Sequence, residues 1–437
     1  MTLLDLTAPA ARNRHLGTLP VAIIGAGPIG LAAAAHLNER GIDFIIYEAG
    51  DSVASSMAAW GHTRLFSPWE HLVDPAAKRL LVATGWTAPE DRSLPTGSEL
   101  IEQYLAPLAA QGVIASRIHT GTTVTAVSRD GMDRTRTAGR NSRPFVLRLE
   151  ETDGGVIDVQ AAAVIDASGT YLNPNSLASN GLDPLGFNAV ADLVGHALPD
   201  VLGAERHRFA GKHTAVVGAG HSAANTLINL ATLAQEEAGT TVTWIIRTKA
   251  AVRMLGSADD ELPARASIGA AVGRLVETGA ITQVDGFEIV GLKRDSTGVD
   301  ITGTRDGGLD HVHADLVVNA TGFRPNLDML REIRLSLDEI VEAPAALAPL
   351  IDPNLHSCGT VPPHGVTELT QPERDFYIVG MKSYGRAPTF LLATGYEQVR
   401  SIADELAGNP GAARQVQLVL PATGVCSTDV GDASSCC

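Results

Sequence analysis

Hydrophobic positions in this chain gather into short runs that end on glycine or another small residue. The first run, Val21 to Ile24, leads into Gly25-Ala26-Gly27-Pro28-Ile29-Gly30, and the alanine-rich stretch Leu31 to Leu37 follows. A short apolar run, a tight glycine turn and a small-residue helix predict a strand–turn–helix unit. Gly25 permits the sharp turn, Gly27 lets the backbone approach a pyrophosphate, and Gly30 lets helix and strand pack closely. Pro28 and Ile29 open the helix, whose free N–H groups and positive dipole end face the phosphates. Asp43 to Tyr47 predicts the second strand. It ends at Glu48 and Ala49, where a carboxylate accepts hydrogen bonds from both hydroxyls of a ribose.

The same pattern returns at His213 to Leu230, with Gly218 and Gly220 in the turn, His221 and Ser222 opening the helix, and Ala223 at the third small position. Its second strand, Thr241 to Ile246, ends at Arg247. A base now stands where the first unit has an acid, which suits a 2′-phosphate and so NADP over NAD. A strand-plus-small-turn element also occurs twice: Ala161 to Thr170, with Ala167 and Gly169 in its turn, and Ala314 to Arg324, with Ala320, Thr321 and Gly322. The repeats predict an α/β chain with two Rossmann-like dinucleotide-binding domains, the second inserted into the first. The expected boundaries are an arm over 1–18, the first domain over 19–195, the second over 196–315, a return to the first over 316–408, and a flexible tail over 409–437.

The remaining segments fill in this frame. Thr122 to Ser128 (with Val124 among the cofactor-lining candidates), Phe145 to Glu150 and Val156 to Val159 predict a small antiparallel meander. Arg129, Arg134, Arg136, Arg140 and Arg143 fall in and around its first loop and read as a solvated hairpin loop. Ser98 to Ala110 reads as a helix capped by Ser98, and Phe287 to Ile289 and Val299 to Ile301 as weaker strands. Arg374 to Gly380 reads as a buried strand. Thr389 to Ala407 reads as a closing helix, with Thr389 at an anion-ready N-terminus and Gly408 ending it. The stretch Asp51 to Asp74 has neither period, yet it holds Trp60, His62, Arg64, Phe66, Trp69 and His71. An aromatic loop there lines a cofactor or substrate, with Trp60 and Arg64 as cofactor contacts and Trp69, His71 and Arg64 as catalytic candidates.

Composition narrows the partners. A net charge of −16 over 437 residues repels nucleic acid and anionic membranes, so an anionic ligand must be held by local groups. No run reaches the roughly 18 apolar residues of a membrane span. Residues 1–20 lack the pattern of a signal peptide, so the cytoplasm is the expected compartment. The acidic, aromatic-poor surface neither requires nor excludes a homodimer. Residues 1–357 contain no cysteine, Cys358 stands alone, and Cys426, Cys436 and Cys437 lie in the last twelve residues. Three thiolates there suit a thiophilic ion; the plainer reading is three free thiols on a loose end. Cys358 and His364 supply two ligand types in one loop, too few for a metal site.

GAGPIG with Glu48, DASGT, GAGHSA with Arg247, NATGFRPN and DFYIVG together resemble the two-dinucleotide-binding-domain flavoproteins over residues 20 to 408. The resemblance implies FAD on the first unit and NADPH on the second. Disulfide reductases of that superfamily carry a redox cysteine pair soon after the flavin glycines or within the NADPH domain, and this chain has neither. The cysteine-free site resembles the flavin-containing and N-hydroxylating monooxygenases. There NADPH reduces the flavin and O₂ adds to form a hydroperoxyflavin, which oxygenates a soft N, S, As or carbonyl centre of a small molecule. The F-x-G-x-x-x-H stretch of those enzymes is absent before the second glycine turn. The runs RLFSPWEHLVD, NLHSCGTVPPHG and KSYGRAPTFLLATGYEQVR, with the cysteine-ending tail, are similar to flavoprotein monooxygenases associated with arsenic-resistance gene clusters. Two alternatives stay open: a reductase passing electrons through the tail thiols, and a flavin-bearing protein that binds a metalloid without turnover.

Overall fold

The computed structural model describes residues 16–249, 263–352, 361–387 and 390–418. In chain order its strands are β1 (Val21–Ile24), β2 (Phe44–Tyr47), β3 (Ile118–His119), β4 (Thr122–Arg129), β5 (Phe145–Glu151), β6 (Val156–Ala161) and β7 (Ala163–Asp166). After the crossing come β8 (Val194–Gly195), β9 (His213–Val217), β10 (Thr241–Ile245), β11 (Thr282–Val284), β12 (Glu288–Arg294), β13 (Val299–Arg305), β14 (Gly308–Ala314), β15 (Leu316–Asn319) and β16 (Phe376–Ile378). Two five-stranded sheets run in the orders β16-β7-β1-β2-β3 and β11-β10-β9-β15-β8. Every pairing in both is parallel. All strands of the second sheet lie in the chain between β7 and β16, which are neighbours in the first sheet. This is the expected insertion of one Rossmann-like unit into another.

The two units are built alike. Each glycine turn follows a central strand, β1 or β9, and each small-residue turn follows the strand beside it, β7 or β15. The boundary expectations need correction on this point. Val194–Gly195 and Leu316–Asn319 both pair within the second sheet, so that sheet begins before 196 and continues past 315. The NATGF element, read as the return to the first domain, is the second unit's own copy of the DASGT element. The chain returns to the first sheet only at β16.

Helix α1 (Pro28–Glu39) packs its small residues Ala32 to Ala35 into the first core, each no more than 1% exposed. Beyond α2 (Pro75–Val82), α3 (His221–Glu236) and α4 (Pro263–Glu277) flank the second sheet, and α5 (Leu392–Leu406) closes the first half against α1. The β4–β5–β6 meander forms as expected, and a second antiparallel sheet, β12–β13–β14, includes a third strand that the sequence pattern did not reveal. The expected helix over 98–110 is capped by Thr96, not Ser98. Thr96 Oγ accepts from the Glu99 N–H while the Glu99 carboxylate accepts from the Thr96 N–H. A π-helical segment, Ile101–Leu105, interrupts that helix.

Two further expectations change. Arg129 and Arg140 are buried rather than solvated. Both donate to the fully buried Glu373 carboxylate, Arg129 at 2.8 Å and Arg140 at 2.9 Å. The remaining guanidinium N–H groups reach carbonyls of Arg143, Arg374, Asp133 and Glu332, and Arg129 lies 3.5 Å from the Phe145 ring centroid. The tail is also ordered at its start. Pro410–Ala413 forms a helical turn, Ser401 Oγ donates to the Ala413 carbonyl, and Arg400 donates to the carbonyls of Ala412 and Gln415. No helix among the described residues is long and apolar enough to cross a membrane.

Candidate functional site

The two glycine turns sit at the carboxyl ends of their sheets, where ligands of open α/β sheets bind. Gly25 adopts φ +98°, and its N–H donates to the Tyr47 carbonyl at the end of β2. A Cβ there would meet the Ala167 carbonyl oxygen at 2.8 Å. Gly218 repeats this at φ +135°, with its N–H on the Ile245 carbonyl and a Cβ position 2.1 Å from the Ala320 carbonyl oxygen. In both units, then, the first glycine is required because the neighbouring small-residue turn lies against it. The second glycines differ: at Gly27 and at Gly220 a Cβ would meet nothing within 4 Å. These two residues are the N-caps of α1 and α3, and neither helix has a side-chain cap. Uncapped N-termini beneath open space leave N–H groups for phosphate oxygens, so both sites fit a dinucleotide pyrophosphate. Pro28 and Ile29, and likewise His221 and Ser222, are the first residues of these helices, and Ala223 is fully buried.

Glu48 is where the sequence reading placed it, at the end of β2 and 8% exposed. Its carboxylate accepts from Ala26 N–H at 2.7 Å, Gly50 N–H at 2.9 Å and Ser55 Oγ at 2.8 Å. The loop thus fixes the acid beside the first glycine turn, and Ala49 follows it at the surface. Arg247 is exposed just past β10 and makes no hydrogen bond or ion pair with a described residue. Nearby, Lys249 pairs with Asp306 at 3.2 Å.

Other candidates come together around these turns. Gly380, at φ +67°, lies against Ile29, its Cβ position 3.1 Å from the isoleucine side chain. Its N–H donates to Gln398, which also bonds Ser383 and His364. His364 Nδ1 faces the Pro362 carbonyl and must donate, so Nε2 accepts from Gln398; burial pushes the pKa of this neutral ring down. Thr321 Oγ bonds Asn319 and the Asn175 carbonyl, joining the second small turn, with Gly322, to the crossing segment. Thr389, Cys358, Cys426, Cys436 and Cys437 lie outside the described residues.

The catalytic candidates in the aromatic loop sit in three different surroundings. Trp69 is a core residue, 4% exposed, clustered with Met57, Leu72 and Ala76. Arg64 is exposed, donates to the Leu94 carbonyl and lies 3.9 Å from Glu99. His71 faces Glu70 at 3.9 Å. Trp60 packs on Gly97, and Val124 belongs to a buried cluster with Ile24 and Tyr47. The loop has its own need for a core: its large apolar side chains fold inward. Phe66 of the same loop reaches the second unit, against His221.

Three groups escaped sequence reasoning. Trp244 Nε1 donates to the Gly218 carbonyl at 2.7 Å, bracing the second turn from below. Lys382 and Asp166, both buried, pair at 2.7 Å, with Ser168 Oγ 3.0 Å from the ammonium. They join the carboxyl ends of β7 and β16 beneath the DASGT turn. A lysine at 382 carries no sequence signal, because its partner is set by strand order alone.

The family model for pyridine nucleotide-disulphide oxidoreductases matches residues 22–357. The chain belongs to that family. It is therefore an oxidoreductase of the pyridine-nucleotide class, and the matched residues contain no cysteine. A curated relative is the indole-3-pyruvate monooxygenase YUCCA1 of rice (Oryza sativa subsp. japonica), 27% identical over 222 residues, 51% of this chain and 47% of that protein. The match thus spans about half the length of the relative. Among solved structures, the bacillithiol disulfide reductase Bdr of Bacillus cereus superposes with a TM-score of 0.66 at 20% identity, over 89% of this chain and 99% of the other. The FAD-bound DfoA of Erwinia amylovora, a cadaverine monooxygenase of desferrioxamine biosynthesis, gives 0.62 at 14% identity, over 92% and 98%. At these identities the two structures share the fold of this member of the family.

Proposed function

We propose that this family member is an FAD-dependent NADPH oxidoreductase that directs electrons to O₂ and oxygenates a soft N, S or As centre of a small molecule. The observation that carries the reading is the pair of uncapped helix N-termini over open glycine positions, in a matched region with no cysteine. FAD is held by Gly25, Gly27, Gly30 and Glu48, with the Ala167–Gly169 turn and Gly380 beside them. Bound there, it supplies two-electron acceptance and reactivity toward O₂. NADPH is held by Gly218, Gly220, His221, Ser222 and Ala223. The monooxygenase names of the rice relative and of DfoA support oxygenation. The bacillithiol reductase supports the rival, electron delivery to a disulfide. The test is to add a primary amine, a thioether or trivalent arsenic to the FAD-loaded protein with NADPH and O₂. Oxygenation predicts that one of them diverts NADPH oxidation from peroxide release to an oxygenated product. Peroxide yield unchanged by all three, with turnover of a low-molecular-weight disulfide, favours the rival.

Arg247 reads the 2′-phosphate. An Arg247→Ala protein should lose a charge-assisted contact of about 1.5–3 kcal/mol, lowering the NADPH-over-NADH preference by about 10–100-fold in flavin reduction. An unchanged ratio assigns the recognition elsewhere.

The tail cysteines are proposed to capture trivalent arsenic and carry it to the flavin site, in the reducing cytoplasm where thiols stay free. The tail's first residues are anchored on α5, and a random coil of the length from 419 to 437 has an r.m.s. reach of about 24 Å. The informative truncation therefore ends after 418, sparing that anchor. Expected is loss of tight arsenite binding with NADPH-dependent flavin reduction intact. Equal arsenite binding by both proteins removes the tail from the account.

A further inference from the structure

We propose that Phe66 is a positioning residue for flavin reduction: through its ring the flavin half reaches across to fix the coenzyme glycine turn of the other half. The proposal rests on the assignment of the two nucleotide sites above.

The Phe66 and His221 rings lie 5.6 Å apart, centroid to centroid, at 44°. His221 is the first residue of α3, directly after the open position at Gly220. The loop that carries Phe66 is held on both sides of it. Leu65 N–H donates to the Pro95 carbonyl at 2.8 Å, Trp69 N–H donates to the Ser93 carbonyl at 3.2 Å, and the Trp69 indole is sunk in the core. The same loop is tied to the first glycine turn. Ala54 N–H donates to the Ala26 carbonyl at 3.1 Å, and Ser55 Oγ donates to Glu48. One anchored stretch thus touches the first nucleotide site at Ala26 and Glu48 and the second at His221.

Ties between the halves also exist where the chain crosses. Asn175 N–H donates to the Gly322 carbonyl at 2.9 Å, and the Tyr171 and Phe323 rings pack at 5.2 Å. These flank the covalent connections, where a hinge would turn. Phe66–His221 lies on residues outside the crossings, so it restricts rotation about them. In flavin reduction, two electrons and one proton leave NADPH together as hydride and are taken up by the flavin, leaving NADP⁺. Transfer needs reacting atoms within about 3–3.5 Å, and a misplacement of about 1 Å costs about 100-fold. A ring that sets one glycine turn relative to the other acts on that distance without holding either nucleotide's phosphates.

The experiment is anaerobic stopped-flow reduction of the FAD-loaded protein by NADPH, comparing wild type, Phe66→Leu, Phe66→Tyr, His221→Ala and the Phe66→Leu/His221→Ala double variant. Expected for Phe66→Leu is reduction about 10–100-fold slower at saturating NADPH. Its FAD content, NADPH dissociation constant and dithionite-reduced spectrum should match wild type. Phe66→Tyr, which keeps the ring, should recover the rate, and the double variant should be no slower than the slower single, as for two parts of one contact. Wild-type rates in Phe66→Leu overturn the proposal, as does a slowing that tyrosine does not repair or an effect confined to NADPH affinity. Failure of NADPH to reduce the wild-type flavin instead overturns the nucleotide assignment on which the proposal rests.

Discussion

Replacing Glu373 with alanine should lower the unfolding free energy by about 3–5 kcal/mol, because it strands two buried guanidinium groups. Arg129 and Arg140 are 1% and 2% exposed at their side chains, and both lose the carboxylate they donate to. Urea denaturation followed by tryptophan fluorescence reads this directly. A triple variant, with Glu373, Arg129 and Arg140 all replaced by apolar residues of similar volume, should recover much of the loss, because no charge is then left unpaired. A loss under about 1 kcal/mol in Glu373→Ala would mean that water reaches the site and the ion pair is not desolvated. The pH dependence follows in sign. Burial raises the Glu373 pKa, but the bonds from Arg140 and Arg129 outweigh it and hold the carboxyl below its ordinary value. The folded-state pKa is thus depressed, so the contribution is present above the unfolded glutamate pKa and is lost as pH falls through the folded one.

Gly30→Ala should yield protein without bound flavin. The added Cβ would lie 1.9 Å from the Gly25 carbonyl oxygen, a backbone atom that no rotamer change can move aside. Relief requires α1 to shift away from the turn, which displaces the N–H groups at Gly27 and strains the Ala26 N–H bond to Glu48. The cost exceeds the roughly 1–3 kcal/mol of ordinary overpacking, and the flavin-to-protein ratio after purification should fall to near zero. Gly41→Ala is the control. Unlike the helical Gly30 it has positive φ, +63°, but its Cβ would meet nothing within 4 Å, so it should cost only the backbone strain of about 1 kcal/mol and keep the flavin. Full flavin content in Gly30→Ala would contradict the close helix–strand packing.

The parts legible in the sequence were those set by local chemistry. Both glycine turns, the strand-end positions of Glu48 and Arg247 and the repeated small-residue turns each follow from a strand–turn–helix pattern contained in one short segment. What escaped depends on residues far apart in the chain. Arg129 and Glu373 are brought together only by the return of β16, so a run of arginines read as solvated. Lys382 meets Asp166 because β7 and β16 are neighbours, which no local pattern encodes. The domain ends were misplaced because VVNATGF and VIDASGT look alike, and strand pairing alone shows that each belongs to its own sheet. In the aromatic loop no local pattern tells Trp69, which packs in the core, from Phe66, which lies against His221 of the second unit.

The central claim is that one FAD and one NADPH site, in a chain without cysteine over residues 1–357, pass electrons from coenzyme to flavin to O₂. The most direct measurement is anaerobic titration of the FAD-reconstituted protein with NADPH, followed by mixing with O₂, while flavin absorbance is recorded. The account predicts bleaching complete at one NADPH per bound FAD and rapid recovery of the oxidised spectrum on mixing with O₂. A protein that binds no FAD, or whose bound FAD stays oxidised under excess NADPH, would contradict it.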